Sequence, residues 1–238
     1  MAPHTALQDA SQKFWLDKTN ANHRYAGEEW FKKYADEILA YLPHGGTLLD
    51  IGCGSCQVTA YLAGAFDQIV AIDSSPAMIA AARERIAKLG IRNISVASGS
   101  AFELAGLVKN QPDVMLSYAL VQYFTKRDLL RHLQECKKVL SNAGVICVGL
   151  VPDTAKRERY FGYLIPMSSR IRRLPPRIAY LYLRVMGLLR RDPLWDGIGN
   201  WFSKTEFDRL AKEANLQVEF CDAAYSDYRF HAILRRAT

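Results

Sequence analysis

Residues 47–56, Thr47-Leu48-Leu49-Asp50-Ile51-Gly52-Cys53-Gly54-Ser55-Cys56, decide how the chain is read. Apolar residues run up to Asp50 and Ile51, and Gly52 and Gly54 follow at once. Such a run predicts a buried strand that ends in a tight turn at the carboxyl edge of a sheet. Glycine has no Cβ, so a ligand can approach the main chain there. A helix predicted over 57–64 would add free N–H groups at its start. Nineteen residues beyond Gly54, the run Ile69-Val70-Ala71-Ile72 ends in Asp73. A carboxylate at the tip of a neighbouring strand suits the two hydroxyls of a ribose. Together the two strand ends describe a nucleoside site.

Outward from this stretch, strands alternate with helices. Strands are predicted over 47–51, 68–73, 93–97, 113–117 and 145–151. Ser74-Ser75-Pro76 supplies a hydroxyl cap and a first-turn proline for a helix that carries Met78, Ile79, Ala82 and Ile86 inward and stops at Gly90. A second helix is predicted over 126–140. Five strands with helical crossovers predict an α/β, doubly wound, parallel sheet. Ahead of it, 8–42 reads as helical, with Trp30, Phe31, Tyr34, Ile38, Leu39 and Leu42 on one apolar face. Residues 152–200 break the rhythm with five prolines among basic and aromatic residues. After them, Ser203-Lys204-Thr205-Glu206 reads as a capping box opening a helix to Glu213, and 216–221 and 228–234 read as closing strands. One domain is therefore expected: a helical lid over 1–44, a ligand-binding core over 45–151, a basic helical insertion over 152–200 and a closing helix and strand pair over 201–238.

A chain of 238 residues can bury one good-sized core, and 50% hydrophobic with 23% charged residues is the balance of a globular protein. The N-terminus shows no basic start followed by an apolar run, and no stretch approaches a spanning helix, so a cytoplasmic protein is expected. The five cysteines are odd in number and scattered, which suits a reducing compartment. Cys53 and Cys56 make a C-x-x-C, read mainly as small fillers of a tight loop, because no second cysteine or histidine pair stands at metal-binding spacing. No metal is expected. The net charge of +7 is uneven: 156–191 holds ten Lys or Arg against one acid.

Asp50-x-Gly52-x-Gly54, followed by Asp73, resembles motif I and the next strand end of the class I S-adenosylmethionine-dependent methyltransferases. Dinucleotide-binding dehydrogenases share the nucleoside logic but want a third small residue where Gln57 stands. The methyltransferases often carry a third glycine where this chain has Cys56. The resemblance covers roughly 45–150 and 200–238 and implies a seven-stranded, Rossmann-like sheet of order 3-2-1-4-5-7-6 with S-adenosylmethionine as cofactor. It implies that Asp50, Gly52, Cys53 and Gly54 form the cofactor loop, that Asp73 binds the ribose, and that Ser74 and Met78 border the adenine. Met78 reads equally well as helix core. Ser100, Ala101 and Phe102 stand where the family contacts the adenine, although the family often has an aspartate at the position of Ser100. Ser117 and Tyr118 end the fourth strand, where members line the methionine end of the cofactor. Tyr118 and Gln122 are expected to face the acceptor. Tyr25, next to Arg24, matches a lid segment that folds over the cofactor in related small-molecule methyltransferases.

An alcohol acceptor would need a base, and histidine titrates nearest neutrality. His231 on the last strand and His23 on the lid are the candidates; His132 lies mid-helix and His44 in a turn. Trp195, Asp196 and Trp201 could form a platform for a sugar ring, and this end of the chain resembles bacterial small-molecule and saccharide methyltransferases. Arg172 and Arg173 sit among apolar residues in the basic insertion, which suits an anionic acceptor or a peripheral contact with an anionic membrane surface through 156–191. A nucleic-acid acceptor is not expected, because the Asn-Pro-Pro-Tyr-like motif of base methylation is missing after the fourth strand. Two other readings compete: a nicotinamide-dependent oxidoreductase, and a non-catalytic binding protein on a methyltransferase fold.

Overall fold

A computed structural model describes residues 27–108, 110–161, 174–175, 177–182, 185 and 198–237. Its elements are α1 (Glu28–Leu39), β1 (Thr47–Ile51), α2 (Thr59–Leu62), β2 (Gln68–Asp73), α3 (Pro76–Leu89), β3 (Ile94–Ser98), β4 (Val114–Tyr118), α4 (Lys126–Val139), β5 (Val145–Pro152), α5 (Lys204–Glu213), β6 (Leu216–Asp222) and β7 (Arg229–Arg236). The seven strands form one sheet of order β3-β2-β1-β4-β5-β7-β6. The first five strands run parallel, and β7 enters antiparallel between β5 and β6.

Two apolar layers cover the sheet. On one face, Leu48, Ile69, Ala71 and Leu116 pack against Ala35 and Ile38 of α1 and Ala82 and Ile86 of α3. On the other, Leu49, Ile72, Met115 and Ile146 meet Leu129 and Leu133 of α4 and Phe207 and Leu210 of α5. Alternate residues of one strand feed opposite layers, and with both faces covered the central strands read as unbroken apolar runs.

The helix ends follow local chemistry. Ser75 caps α3 by accepting the Met78 N–H at 3.3 Å, Pro76 takes the first turn, and Gly90 closes the helix in the left-handed region. Thr125 and Asp128 form a reciprocal capping box at α4, and the Ser203 hydroxyl accepts the Glu206 N–H at α5.

One expectation needs correction. After the glycine loop the helix is only four residues, Thr59–Leu62, continued by a 3-10 turn at Ala63–Ala65. The strand β5 is irregular: its register to β7 shifts between Val148 and Val151, and Leu150 stands at φ 55°. No described helix is long and apolar enough to cross a membrane.

Candidate cofactor and acceptor site

The loop after β1 reverses by alternating its backbone hand. Gly52 (φ 74°), Gly54 (φ 55°) and Cys56 (φ 56°) all adopt the left-handed region. Cys56 therefore does as a strained cysteine what a third glycine would do freely, at a cost of about 1–2 kcal/mol. Its side chain is fully buried in the layer beneath the loop. A hydrogen bond with Cys56, and then burial, hold the Cys53 thiol well above its usual pKa. Both cysteines are free thiols, and no metal-binding cluster occurs among the described residues.

Asp73 ties the loop to β2. Its Oδ2 accepts the Gly54 N–H at 2.9 Å and its Oδ1 accepts the Ser75 N–H at 2.8 Å. Burial raises its pKa against these backbone donors. Asp50 lies deeper, 3% exposed, where its Oδ2 accepts the Thr59 hydroxyl at 2.5 Å. Burial pushes its pKa up to about 7; the Thr59 hydrogen bond opposes that and the nearby Asp73 adds to it. The loop after β3 turns on Ser100, whose hydroxyl accepts the Phe102 N–H at 3.2 Å. Phe102 lies 4.9 Å from Phe124 with the rings tilted, and the Arg131 guanidinium is 5.2 Å from the Phe102 ring.

At the end of β4 the neighbouring side chains part company. Ser117 is fully buried on the α4 face and bonds to His132 Nε2 at 2.8 Å. The other nitrogen of His132 donates to the Ala101 carbonyl at 2.9 Å, and burial lowers its pKa to about 4. Strand alternation thus turns Ser117 away from the edge, which corrects its expected contact with the cofactor. His132, set aside as an ordinary mid-helix residue, is the brace that joins β4 to the loop after β3.

Tyr118 points to the α1 face. Its ring covers Gly149, where a Cβ would fall 2.5 Å from Cδ2, and lies 6.0 Å from Tyr34. Its hydroxyl is buried and has no hydrogen-bond partner. Burial, with Tyr34 and Glu37 acting the same way, drives its pKa up, while Arg229 acts against that. Gln122 donates to the Ala119 carbonyl at 3.0 Å and accepts from Arg229 at 3.0 Å.

His231 lies on the same face of the sheet and is fully buried. The Leu150 N–H donates to Nδ1 at 3.4 Å, so Nε2 carries the proton and donates to Glu37 Oε1 at 3.1 Å. Burial lowers its pKa, with Glu37 opposing. Both ring nitrogens are engaged inside the protein, so His231 has no lone pair for an acceptor. This corrects its expected role as base, since geometry comes before pKa in choosing one.

Trp201 packs 5.6 Å from Tyr160 under the Arg157 guanidinium, 5.2 Å from its ring. It lines a cavity of about 490 Å³ together with Lys126, Thr154, Arg157, Asn200 and Glu206. His23, Tyr25, Arg172, Arg173, Trp195 and Asp196 lie outside the described residues.

Residues 48–144 match the methyltransferase domain family. A demethylmenaquinone methyltransferase of Bacillus cytotoxicus is 25% identical over 179 residues, 71% of this chain and 72% of the relative. The chain carries a class I S-adenosylmethionine-dependent methyltransferase domain.

Solved methyltransferases share the fold. The DhpI-SAM-HEP complex superposes with a TM-score of 0.67 at 14% identity, covering 99% of this chain and 100% of that one. The mitomycin 7-O-methyltransferase MmcR superposes with a TM-score of 0.61 at 18% identity over 87% of this chain; the chain spans 54% of its length. The methyltransferase uses S-adenosylmethionine as its cofactor, and its glycine loop fits that ligand. A Cβ added at Gly54 would meet nothing within 4 Å, so the backbone faces open space where a ligand would lie. At Gly52 a Cβ would fall 2.8 Å from Leu120, so that glycine keeps the loop close to the end of β4. The Asp73 carboxylate accepts the Gly54 and Ser75 N–H groups and keeps acceptor capacity for a ligand hydroxyl.

Proposed function

We propose that the methyltransferase modifies a hydroxyl oxygen on a small-molecule or saccharide acceptor of anionic character. The observation that carries this reading is the buried, unpartnered hydroxyl of Tyr118 at the end of β4, whose ring covers Gly149 of β5. A buried polar group without a partner is costly, and a ligand that completes it removes the cost. The relatives' names support small acceptors: one is a demethylmenaquinone methyltransferase and another a mitomycin 7-O-methyltransferase.

S-adenosylmethionine supplies a methyl group already activated on a sulfonium, so the protein's task is mainly to bind and align. In this reading Gly52 and Gly54 offer bare backbone, Asp73 binds the ribose, and Ser100, Ala101 and Phe102 border the adenine. Ser74, exposed after β2, stands beside them, whereas Met78 is only 3% exposed and serves the α3 core. Asp50 faces the cofactor's positive end from beneath the loop. Tyr118 and Gln122 border the acceptor. With His231 engaged by Glu37 and Leu150, the candidate base is His23, and Tyr25, two residues on in the sequence, is the candidate lid contact to the cofactor. Arg172 and Arg173 of the basic segment, with Trp195, Asp196 and Trp201, form the outer acceptor contacts, and 156–191 could rest on an anionic membrane face in the cytoplasm.

The test is incubation with methyl-labelled S-adenosylmethionine and fractionated cell extract, followed by identification of the labelled product. Label appearing only on nucleic acid or protein would sink the small-molecule reading.

A further inference from the structure

Arg229 is 8% exposed, at the start of β7, and has no carboxylate within ion-pairing distance among the described residues. Its guanidinium donates to the Leu150 carbonyl at 2.6 Å and to Gln122 Oε1 at 3.0 Å, both neutral acceptors. Three of its five N–H donors make no hydrogen bond among the described residues, and the Tyr228 ring, 5.3 Å from the guanidinium, offsets only part of the charge. A buried cation without a counter-charge is expensive, and the cost is large enough to need an explanation. The Tyr118 ring covers Gly149, the residue before the Leu150 carbonyl that Arg229 bonds, and its buried hydroxyl has no partner.

An aromatic run leads to this pair from the surface. Trp30 and Tyr225 are 42% and 44% exposed, with ring centroids 6.0 Å apart. Tyr34 lies 6.2 Å from Trp30, 6.0 Å from Tyr225 and 6.0 Å from Tyr118. The residues come from α1, β4 and the turn before β7, so only the folded chain assembles the path. Rings of this kind favour a flat apolar body, and edge or face contacts with it add to simple burial.

We propose that Arg229 and Tyr118 hold a carboxylate on the methyl acceptor, whose flat, apolar body lies along Tyr34 toward Trp30 and Tyr225. The proposal rests on the methyltransferase reading and deepens it by naming the acceptor as an aromatic or similarly flat monoacid. A single buried guanidinium balances one negative charge; a dianionic phosphate would leave one uncompensated. A carboxylate also accepts the planar fork that Arg presents, and its free lone pairs take the Tyr118 hydroxyl. Entry requires the half-buried Tyr34 ring to turn aside.

Calorimetry on the protein saturated with S-adenosylhomocysteine tests this, with 2-naphthoate and the isosteric neutral 2-naphthamide as probes. The acid should bind at least about tenfold tighter than the amide, the usual scale of a charge-assisted pair. Arg229→Gln should bring that preference below about twofold. Tyr118→Phe should weaken naphthoate several-fold yet raise the thermal midpoint, because it deletes a buried hydroxyl with no partner. This second variant decides the matter if Arg229→Gln does not fold. Equal binding of acid and amide, no naphthoate binding at about 10 mM, or an acid preference kept in both variants would overturn the proposal. Failure of the wild type to bind S-adenosylhomocysteine would sink the cofactor reading instead; naphthoate titrated into the free protein still decides the carboxylate site.

Discussion

The two halves of the carboxyl edge are built on different principles. The cofactor half, at β1 and β2, is made of backbone and of contacts close in sequence: Gly54 and Asp73 are 19 residues apart. The acceptor half, at β4, β5 and β7, is made of side chains that meet over long separations. Arg229 and Gln122 are 107 residues apart, and His231 and Glu37 are 194 apart. Backbone geometry set by glycines is insensitive to what surrounds it, so a short motif carries it. A polar cluster between strands and a helix depends on the placing of every element around it.

That contrast can be broken most sharply at Gly54. A valine there would fill the open space above the loop and force a β-branched residue into a left-handed conformation. We expect S-adenosylmethionine affinity to fall about a hundredfold or more, with only about 1–2 kcal/mol lost in denaturant unfolding. Equal losses in both measurements would show that the loop is a folding element rather than a cradle.

On the other half, His231→Ala should act mainly on stability. It removes the Nε2–H donor from the buried Glu37, which keeps the Ala224 N–H, at a cost of about 1–3 kcal/mol, while cofactor affinity stays within about twofold of wild type. A variant that is stable yet slower by about a hundredfold would restore His231 to the chemistry.

Asp73→Ala removes both the acceptor of the Gly54 N–H and the candidate ribose ligand. Cofactor binding should weaken by about 1–3 kcal/mol. Unchanged affinity in a folded variant would end the ribose assignment.

The pH dependence is a smaller effect. Asp50, with a pKa of about 7, is mostly protonated at pH 6 and mostly ionised at pH 8. A cationic ligand favours the ionised form, so binding pulls this pKa down and releases a proton. S-adenosylmethionine affinity should therefore rise several-fold between about pH 6 and pH 8, and Asp50→Asn should flatten the profile. A flat wild-type profile would separate Asp50 from the ligand.

The smallest effect is expected at Cys56→Gly, which relieves the strained φ of 56° but loses a fully buried side chain. The two terms nearly cancel, leaving stability within about 1 kcal/mol of wild type.

Much of the cofactor half was legible in the sequence. The strand limits at β1 and β2, the Ser75 cap, the Gly90 stop and the inward set Met78, Ile79, Ala82 and Ile86 all stand as local chemistry predicts. The Asp50-x-Gly52-x-Gly54 pattern with Asp73 pointed to the fold and the cofactor together. Legibility fails where a side chain's direction matters. Ser117 and Tyr118 are neighbours, yet one is locked behind the sheet by His132 and the other faces α1. His231 looked free on a strand because its partner, Glu37, belongs to another element.

The sequence by itself determined the period of each element and the turns between them, the glycine turn after β1 included, because these depend on residues within a turn or two of one another. Only the tertiary structure decided which polar groups are satisfied. It paired His231 with Glu37, gave His132 to Ser117 and Ala101, and left Tyr118 without a partner and Arg229 without a counter-charge among the described residues. Hydrogen bonds and charges are resolved by distance in space, and separation along the chain carries no record of it.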